Sequence, residues 1–287
     1  MMLQNGDLIQ RGNVDLSSSL RTAGDKGMNV RTSMQSRSFD RERMRPAFDL
    51  LAQIPLSRPS SCVDLWCDSG EGRELLVTKF PDAEVVSATD VDDLVALVHP
   101  QVRHANNVHS GVSSRGWPDG IDLIFSSGLM QWVPDHAQSL QRLAALLSQS
   151  GCLAVQMPKS LYEPTHVLMR QVASEASWFS KLKDAIVLRT PISPIEDYYG
   201  WLCTQFDVVN AWEAVYLHPL EGAAAIVEWM KQTDLREFLD RLDEEESSMF
   251  LRRYASEIAA AYPVRNDGKV LLRDRRIFIV ASRLSRR

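Results

Sequence analysis

The chain is poor in cysteine, in net positive charge and in long apolar runs, and each shortage removes a class of function. Its four cysteines, Cys62, Cys67, Cys152 and Cys203, include no C-x-x-C pair. Two of them fall in candidate core strands, so they read as buried, reduced thiols of a cytoplasmic protein. His99, His104 and His109 recur every five residues. On a strand that spacing sends successive rings to opposite faces, and on a helix it misses the i, i+4 stripe, so no metal site is expected. The longest apolar runs, such as residues 121–125 and 151–157, are far shorter than the ~20 residues of a membrane-spanning helix, and no membrane partner is expected. A formal net charge of -5 has the wrong sign for a general nucleic-acid binder, which works by neutralising phosphates. It leaves room for a small anionic ligand held by a few local Arg, Tyr or backbone N–H groups. No Ser-His-Asp set and no pair of carboxylates with acid and base roles is recognisable, so no catalytic residue is assigned.

What is present is ordinary globular material: 287 residues, 45% hydrophobic and 24% charged, enough for one large domain or one domain with an inserted lobe. Residues 1–37 are rich in Ser, Gly, Arg and Asn without apolar periodicity and are expected to be a disordered leader. Arg and Ser suit a transit peptide, whereas Asp7 and Asp15 oppose one, and Met28 and Met34 are alternative starts. Order is expected from Ser38, with a helix beginning at about Arg45, because Pro46 fits a first helical turn.

From Cys62 onward short apolar strands alternate with helices. Strands are expected over 61–66, 84–89, 121–127 and 151–157, with a weaker one over 102–108. Helices are expected after the turn at 68–72 and over 136–147. Nearly continuous apolar strands separated by helices imply a parallel sheet covered on both faces, hence a doubly wound α/β fold. After Pro158 the rhythm changes. Residues 163–176, 195–203, 222–231 and 244–261 read as helices, interrupted by strands over 208–217 and 276–283. These late strands suit a sheet edge, and residues 159–262 are expected to form a mainly helical lobe over the ligand cleft.

Ligands of open α/β sheets bind beyond the carboxyl ends of the strands, here at DLWCDSGEG (64–72) and Asp90. At these residues the chain resembles the S-adenosylmethionine (SAM)-dependent methyltransferases, which carry D/E-x-G-x-G-x-G after the first strand and an acid after the second. RPAFDLL (45–51), LMQWVPDHA (129–137), LAVQMP (153–158), EPTHVLMRQVA (163–173), YLHPLEG (216–222), AIVEWMKQTDLREFLD (225–240) and RRIFIVASR (275–283) resemble the trans-aconitate 2-methyltransferase family from Ser38 to the C-terminus. The resemblance implies a Rossmann-like methyltransferase domain over 38–287 that methylates a carboxylate of a small polycarboxylic acid. It implies a cofactor site at Asp64, Trp66, Asp68, Gly70, Asp90, Val91 and Ser126, and an acid site drawn from Arg45, Gln131, Trp132, Tyr198 and Tyr199.

Some positions depart from the family. Its loop reads VDLGCGPGNS where this chain reads VDLWCDSGEG, so Trp66 and Asp68 replace two glycines and Gly70 remains. Glycines there let backbone approach the methionine part of SAM. An indole is large enough to occupy that space, and a carboxylate either repels the SAM carboxylate or meets its ammonium group. Two alternatives therefore stand beside the methyltransferase: a homologue without SAM in a binding or regulatory role, and an enzyme keeping the organic-acid pocket for SAM-independent chemistry. Individual residues also have plainer readings. Asp90 suits a helix N-cap as well as a ribose ligand, and Trp132 suits the core as well as the cleft. One of Tyr198 and Tyr199 is expected buried and the other cleft-facing. Arg45 suits a surface charge, and His166 reads as structural.

Overall fold

The computed structural model describes residues 40–66, 71–88, 120–187, 189 and 191–283. The leader, the loop glycine Gly70 and the weak strand over 102–108 lie outside these residues. Six strands form one sheet: β1 (Ser61–Trp66), β2 (Glu84–Ala88), β3 (Ile121–Ser127), β4 (Leu147–Pro158), β5 (Val208–Leu220) and β6 (Val270–Ser282). Their order is β2-β1-β3-β4-β6-β5. The pairs β1–β2, β1–β3 and β3–β4 are parallel, whereas β6 runs antiparallel to both β4 and β5. As expected, β1 is interior between β2 and β3, and the late strands take one edge.

Side chains alternate across the sheet, and each face has its own cover. On one face Cys62, Leu123, Phe125, Ala154 and Phe278 pack under α1 (Asp40–Ala52) and α2 (Glu71–Lys79), through Ala47, Leu50, Leu76 and Phe80. On the other, Val63, Leu65, Ile124, Val155 and Ile279 pack under α3 (His136–Ala145), which supplies Leu140 and Leu143. Helices on both faces of a mostly parallel sheet make the fold a Rossmann-like, doubly wound α/β domain. The expected start of the first helix needs correction, since α1 begins at Asp40 and carries Pro46 in its interior. Pro46 and Ala47 are both buried, so packing offsets the hydrogen bond that the imino nitrogen cannot make.

The lobe has a third core. It is built by α4 (Pro164–Ala173), α5 (Phe179–Ile186), α7 (Ala223–Lys231), α8 (Arg236–Leu239) and α9 (Glu244–Ala261) around Val172, Leu182, Ile226, Phe250 and Tyr254. The remaining helix, α6 (Ile195–Leu202), returns to the sheet and places Tyr198 and Leu202 in the α3 core. A capping box starts α9: Asp243 Oδ1 accepts the Glu246 amide at 2.9 Å, and Glu246 Oε2 accepts the Asp243 amide at 3.0 Å.

Two glycines allow a paired test of the packing. A Cβ on Gly151 would stand 2.8 Å from Leu147 Cβ and 3.0 Å from the Ile121 carbonyl oxygen, whereas one on Gly200 in α6 meets nothing within 4 Å. Gly151→Ala is expected to destabilise by about 1–3 kcal/mol. Gly200→Ala is expected to stabilise by about 0.5–1 kcal/mol. Denaturant melts of the two variants check the contrast, and equal midpoints would contradict it.

Candidate active site

Strands β1, β2 and β3 are parallel, so their carboxyl ends open together at Trp66, Ala88 and Ser127. Asp64 stands two residues before the end of β1, fully buried on the α1–α2 face. The Ser87 hydroxyl donates to its Oδ2 at 3.5 Å, while Oδ1 has no hydrogen-bond partner among the described residues. Burial drives its carboxyl up to about 7, against the lowering effect of Ser87 and of Arg73 at the start of α2. Ser126 pairs in register with Leu65 and therefore projects to the opposite face from Asp64. Its hydroxyl is also buried without a partner among the described residues. The backbone of Trp66 pairs with Ser127, and Asp68, Gly70, Asp90 and Val91 lie outside the described residues.

Beyond β3 the chain turns at Gly128, whose φ of +73 an L side chain rarely adopts. A short 3-10 turn, Met130–Trp132, follows. The Gln131 Nε2 donates back to the Gly128 carbonyl at 2.6 Å, leaving a buried Oε1 with no partner among the described residues. His136 holds this turn from behind. Its Nε2 lies 2.8 Å from the Met130 carbonyl oxygen and its Nδ1 lies 2.6 Å from the Tyr198 hydroxyl. A carbonyl only accepts, so Nε2 carries the proton and Nδ1 accepts from Tyr198. Burial lowers the pKa of His136, which favours this neutral form.

Trp132 forms one wall of a narrow, partly open cavity between this turn and the lobe. Leu161, Met169 and Phe238 give it apolar lining, and His166, Arg170, Arg189, Asp234 and Glu237 bring charge and polarity. The Arg189 guanidinium lies over the Trp132 ring, 4.3 Å from its centroid, and pairs with Asp234. His166 Nε2 lies 3.1 Å from the second Asp234 oxygen, and its Nδ1 lies 3.1 Å from Thr165 Oγ1. Burial first, then Arg189 and Arg170, push the imidazole down to about 3. His166 is therefore neutral and donates a hydrogen bond to Asp234. With so low a pKa and a buried Thr165, this chain of contacts is no hydrolytic triad, because its base has almost no proton affinity at neutral pH.

The proposed acid-site residues are thus dispersed. Trp132 lines the cavity, and Gln131 precedes it with its unpaired oxygen. Tyr198 is fully buried behind the turn, where it orients His136 and does not line the cavity, and Tyr199 is exposed. Arg45 is exposed in a separate open recess, over the Tyr216 ring at 5.1 Å, while the Tyr216 hydroxyl donates to Asp49 at 2.7 Å. Sequence reasoning passed over Arg170, Arg189, Asp234 and Glu237. One signal was available, since His166 and Arg170 are four residues apart on one helix and share a face. A further network crosses the strand ends: Gln156 Nε2 donates to Ser127 Oγ at 2.6 Å, and Arg276 joins Gln156 Oε1 at 3.1 Å to Asp274 at 2.9 Å. No group of described residues could hold a metal ion.

The state of Asp64 makes a testable statement. With a folded pKa of about 7 and an unfolded value near ~3.9, the native state holds a proton in this window that the unfolded chain has released. Stability is then lost as pH rises from ~4 to ~7. Asp64→Asn is expected to match the wild type near pH 4 and to exceed it by a few kcal/mol at pH 8. His166 acts oppositely over part of this range but is common to both proteins and cancels in the difference. Denaturant melts across the range check this, and a pH-independent difference would contradict it.

No family model matches the chain. Relatives named trans-aconitate 2-methyltransferase do match. That of Rhodopseudomonas palustris strain HaA2 is 43% identical over 246 residues, covering 85% of this chain and 95% of the relative. Those of Methylobacterium nodulans and Variovorax paradoxus are each 42% identical, with 85% and 86% of this chain covered and 95% and 96% of theirs. Among solved structures, the YcgJ protein of Bacillus subtilis is 13% identical with a TM-score of 0.46, covering 86% of this chain and 100% of that one. A putative methyltransferase from Bacillus halodurans is 12% identical with a TM-score of 0.45, covering 83% of this chain and 98% of that one. With identities of 42–43% along nearly the full length of its relatives, the chain belongs to the trans-aconitate 2-methyltransferase family.

Proposed function

We propose that the protein is a SAM-dependent methyltransferase that esterifies one carboxylate of a small polycarboxylic acid such as trans-aconitate. The observation that carries this reading is the cavity between Trp132 and the lobe, partly apolar and lined by Arg170 and Arg189, of which Arg189 is matched by Asp234. The names of the relatives support the acceptor.

The strand ends fit the cofactor. Asp64 Oδ1, Ser126 Oγ and Gln131 Oε1 are buried oxygens without partners among the described residues, and a buried acceptor left unpaired is costly unless a ligand completes it. Asp64 and Gln131 would meet the N–H groups of such a ligand, and Asp90 and Val91 would flank its ribose. Trp66, Asp68, Gly70 and Ser126 complete the proposed cofactor residues. SAM supplies an activated methyl group when bound. The acceptor carboxylate, with a reference pKa of ~4, is already ionised at neutral pH, so the protein needs no general base. Its residues act by placement: Gln131 and Trp132 shape the passage between the strand ends and the cavity, and the apolar lining excludes water.

Incubating the protein with SAM and trans-aconitate is expected to give a monomethyl ester, identified by mass spectrometry. Trp132→Ala is expected to lower kcat/KM about 10- to 100-fold through lost placement. No ester from folded wild-type protein with both reactants saturating would sink the reading, and full activity in the variant would remove Trp132 from it.

A further inference from the structure

The charged groups of the cavity are not equally committed. Arg189 is matched by Asp234 and rests on Trp132. Asp234 also accepts from His166, and Glu237 faces Arg241 at 3.6 Å. Arg170 differs. It stands in the last turn of α4 and lines the cavity. Its NH2 donates to the Leu161 carbonyl at 2.7 Å, which fixes the plane of the guanidinium. A guanidinium has five N–H donors, and no carboxylate lies within ion-pair distance of Arg170 among the described residues. Half burial of the charge lowers its pKa from the ordinary arginine value, the mark of a cation drawn from water without a full counter-charge.

A desolvated cation with spare donors, on the wall of a small cavity, is completed by an anion. We infer that Arg170 is the anchor for a carboxylate of the acceptor acid other than the one that is methylated. This rests on the acid-methylating reading of the cavity and makes it more specific. An acid with one carboxylate must leave either the reacting position or Arg170 empty, so Arg170 selects polycarboxylates over monocarboxylates. The Leu161 carbonyl holds the guanidinium so that its remaining donors can meet a carboxylate in a bidentate fashion, which lysine's single ammonium cannot reproduce.

Calorimetric titration of the full chain with trans-aconitate, and separately with a monocarboxylic alkenoic acid, tests the anchor without requiring turnover. The wild type is expected to bind trans-aconitate, and Arg170→Met to bind it roughly 10- to 100-fold more weakly. Arg170→Lys is expected to fall between them, and the monocarboxylate to bind all three weakly and alike. Circular dichroism establishes that each variant is folded. Unchanged affinity in Arg170→Met, equal loss for both acids, or no binding of trans-aconitate to the wild type would overturn the anchor. Methyl transfer measured on the same samples separates the two levels. An Arg170-dependent acid site without ester formation sinks the methyltransferase reading alone, whereas ester formation with Arg170-independent binding sinks the anchor alone.

Discussion

The turn that follows β3 is too short to hold itself, since a single 3-10 turn closes few backbone hydrogen bonds. What fixes it is one neutral imidazole. His136 donates to the Met130 carbonyl and accepts from Tyr198, so the turn is tied to α3 and, through Tyr198, to α6. Gln131 and Trp132 ride on that turn, the first toward the strand ends and the second into the cavity. Trp132 then carries the Arg189 guanidinium, whose partner Asp234 lies between α7 and α8. The sheet and the lobe thus meet through side chains whose charge states are set by burial. Two of the central groups, His136 and His166, are kept neutral by it.

Much of the framework is legible because burial on both sides demands continuous apolar strands. SCVDLW, IDLIFSS and GCLAVQM announce β1, β3 and β4, although β4 extends back to Leu147. Most of the late helices were also readable in nearly their observed bounds, whereas β5 runs on to Leu220 and β6 begins at Val270, well before the expected Arg276. Helices α5 and α8 were not readable, and α8 is a single turn of four residues, too short for a period to show. The interior proline of α1 was misjudged because local rules weigh the lost hydrogen bond and cannot see the packing that offsets it.

The site was less legible than the fold. Trp132 could be placed because it follows a strand whose carboxyl end must open to ligand. The cavity's other charged residues come from segments far apart in the chain, Arg170 from α4, Arg189 from the stretch after α5 and Asp234 from the turn after α7. Only the tertiary packing of the lobe brings them together. Tyr198 is the buried member of the Tyr198–Tyr199 pair, and its hydroxyl is taken up by an internal hydrogen bond to His136. The cavity's formal charges balance, Arg170 and Arg189 against Asp234 and Glu237, so any pull on an anion comes from how those charges are paired and not from their sum.

If the protein uses SAM, its strand ends must form a cofactor site although Trp66 and Asp68 stand where the family resemblance implies glycines. Isothermal titration of the full chain with SAM tests it most directly. Saturable one-site binding is expected, with a dissociation constant of about micromolar order, corresponding to roughly 8 kcal/mol. Trp66→Gly combined with Asp68→Gly is expected to give little improvement. Absence of binding to folded wild-type protein, with binding restored in that double variant, would contradict it.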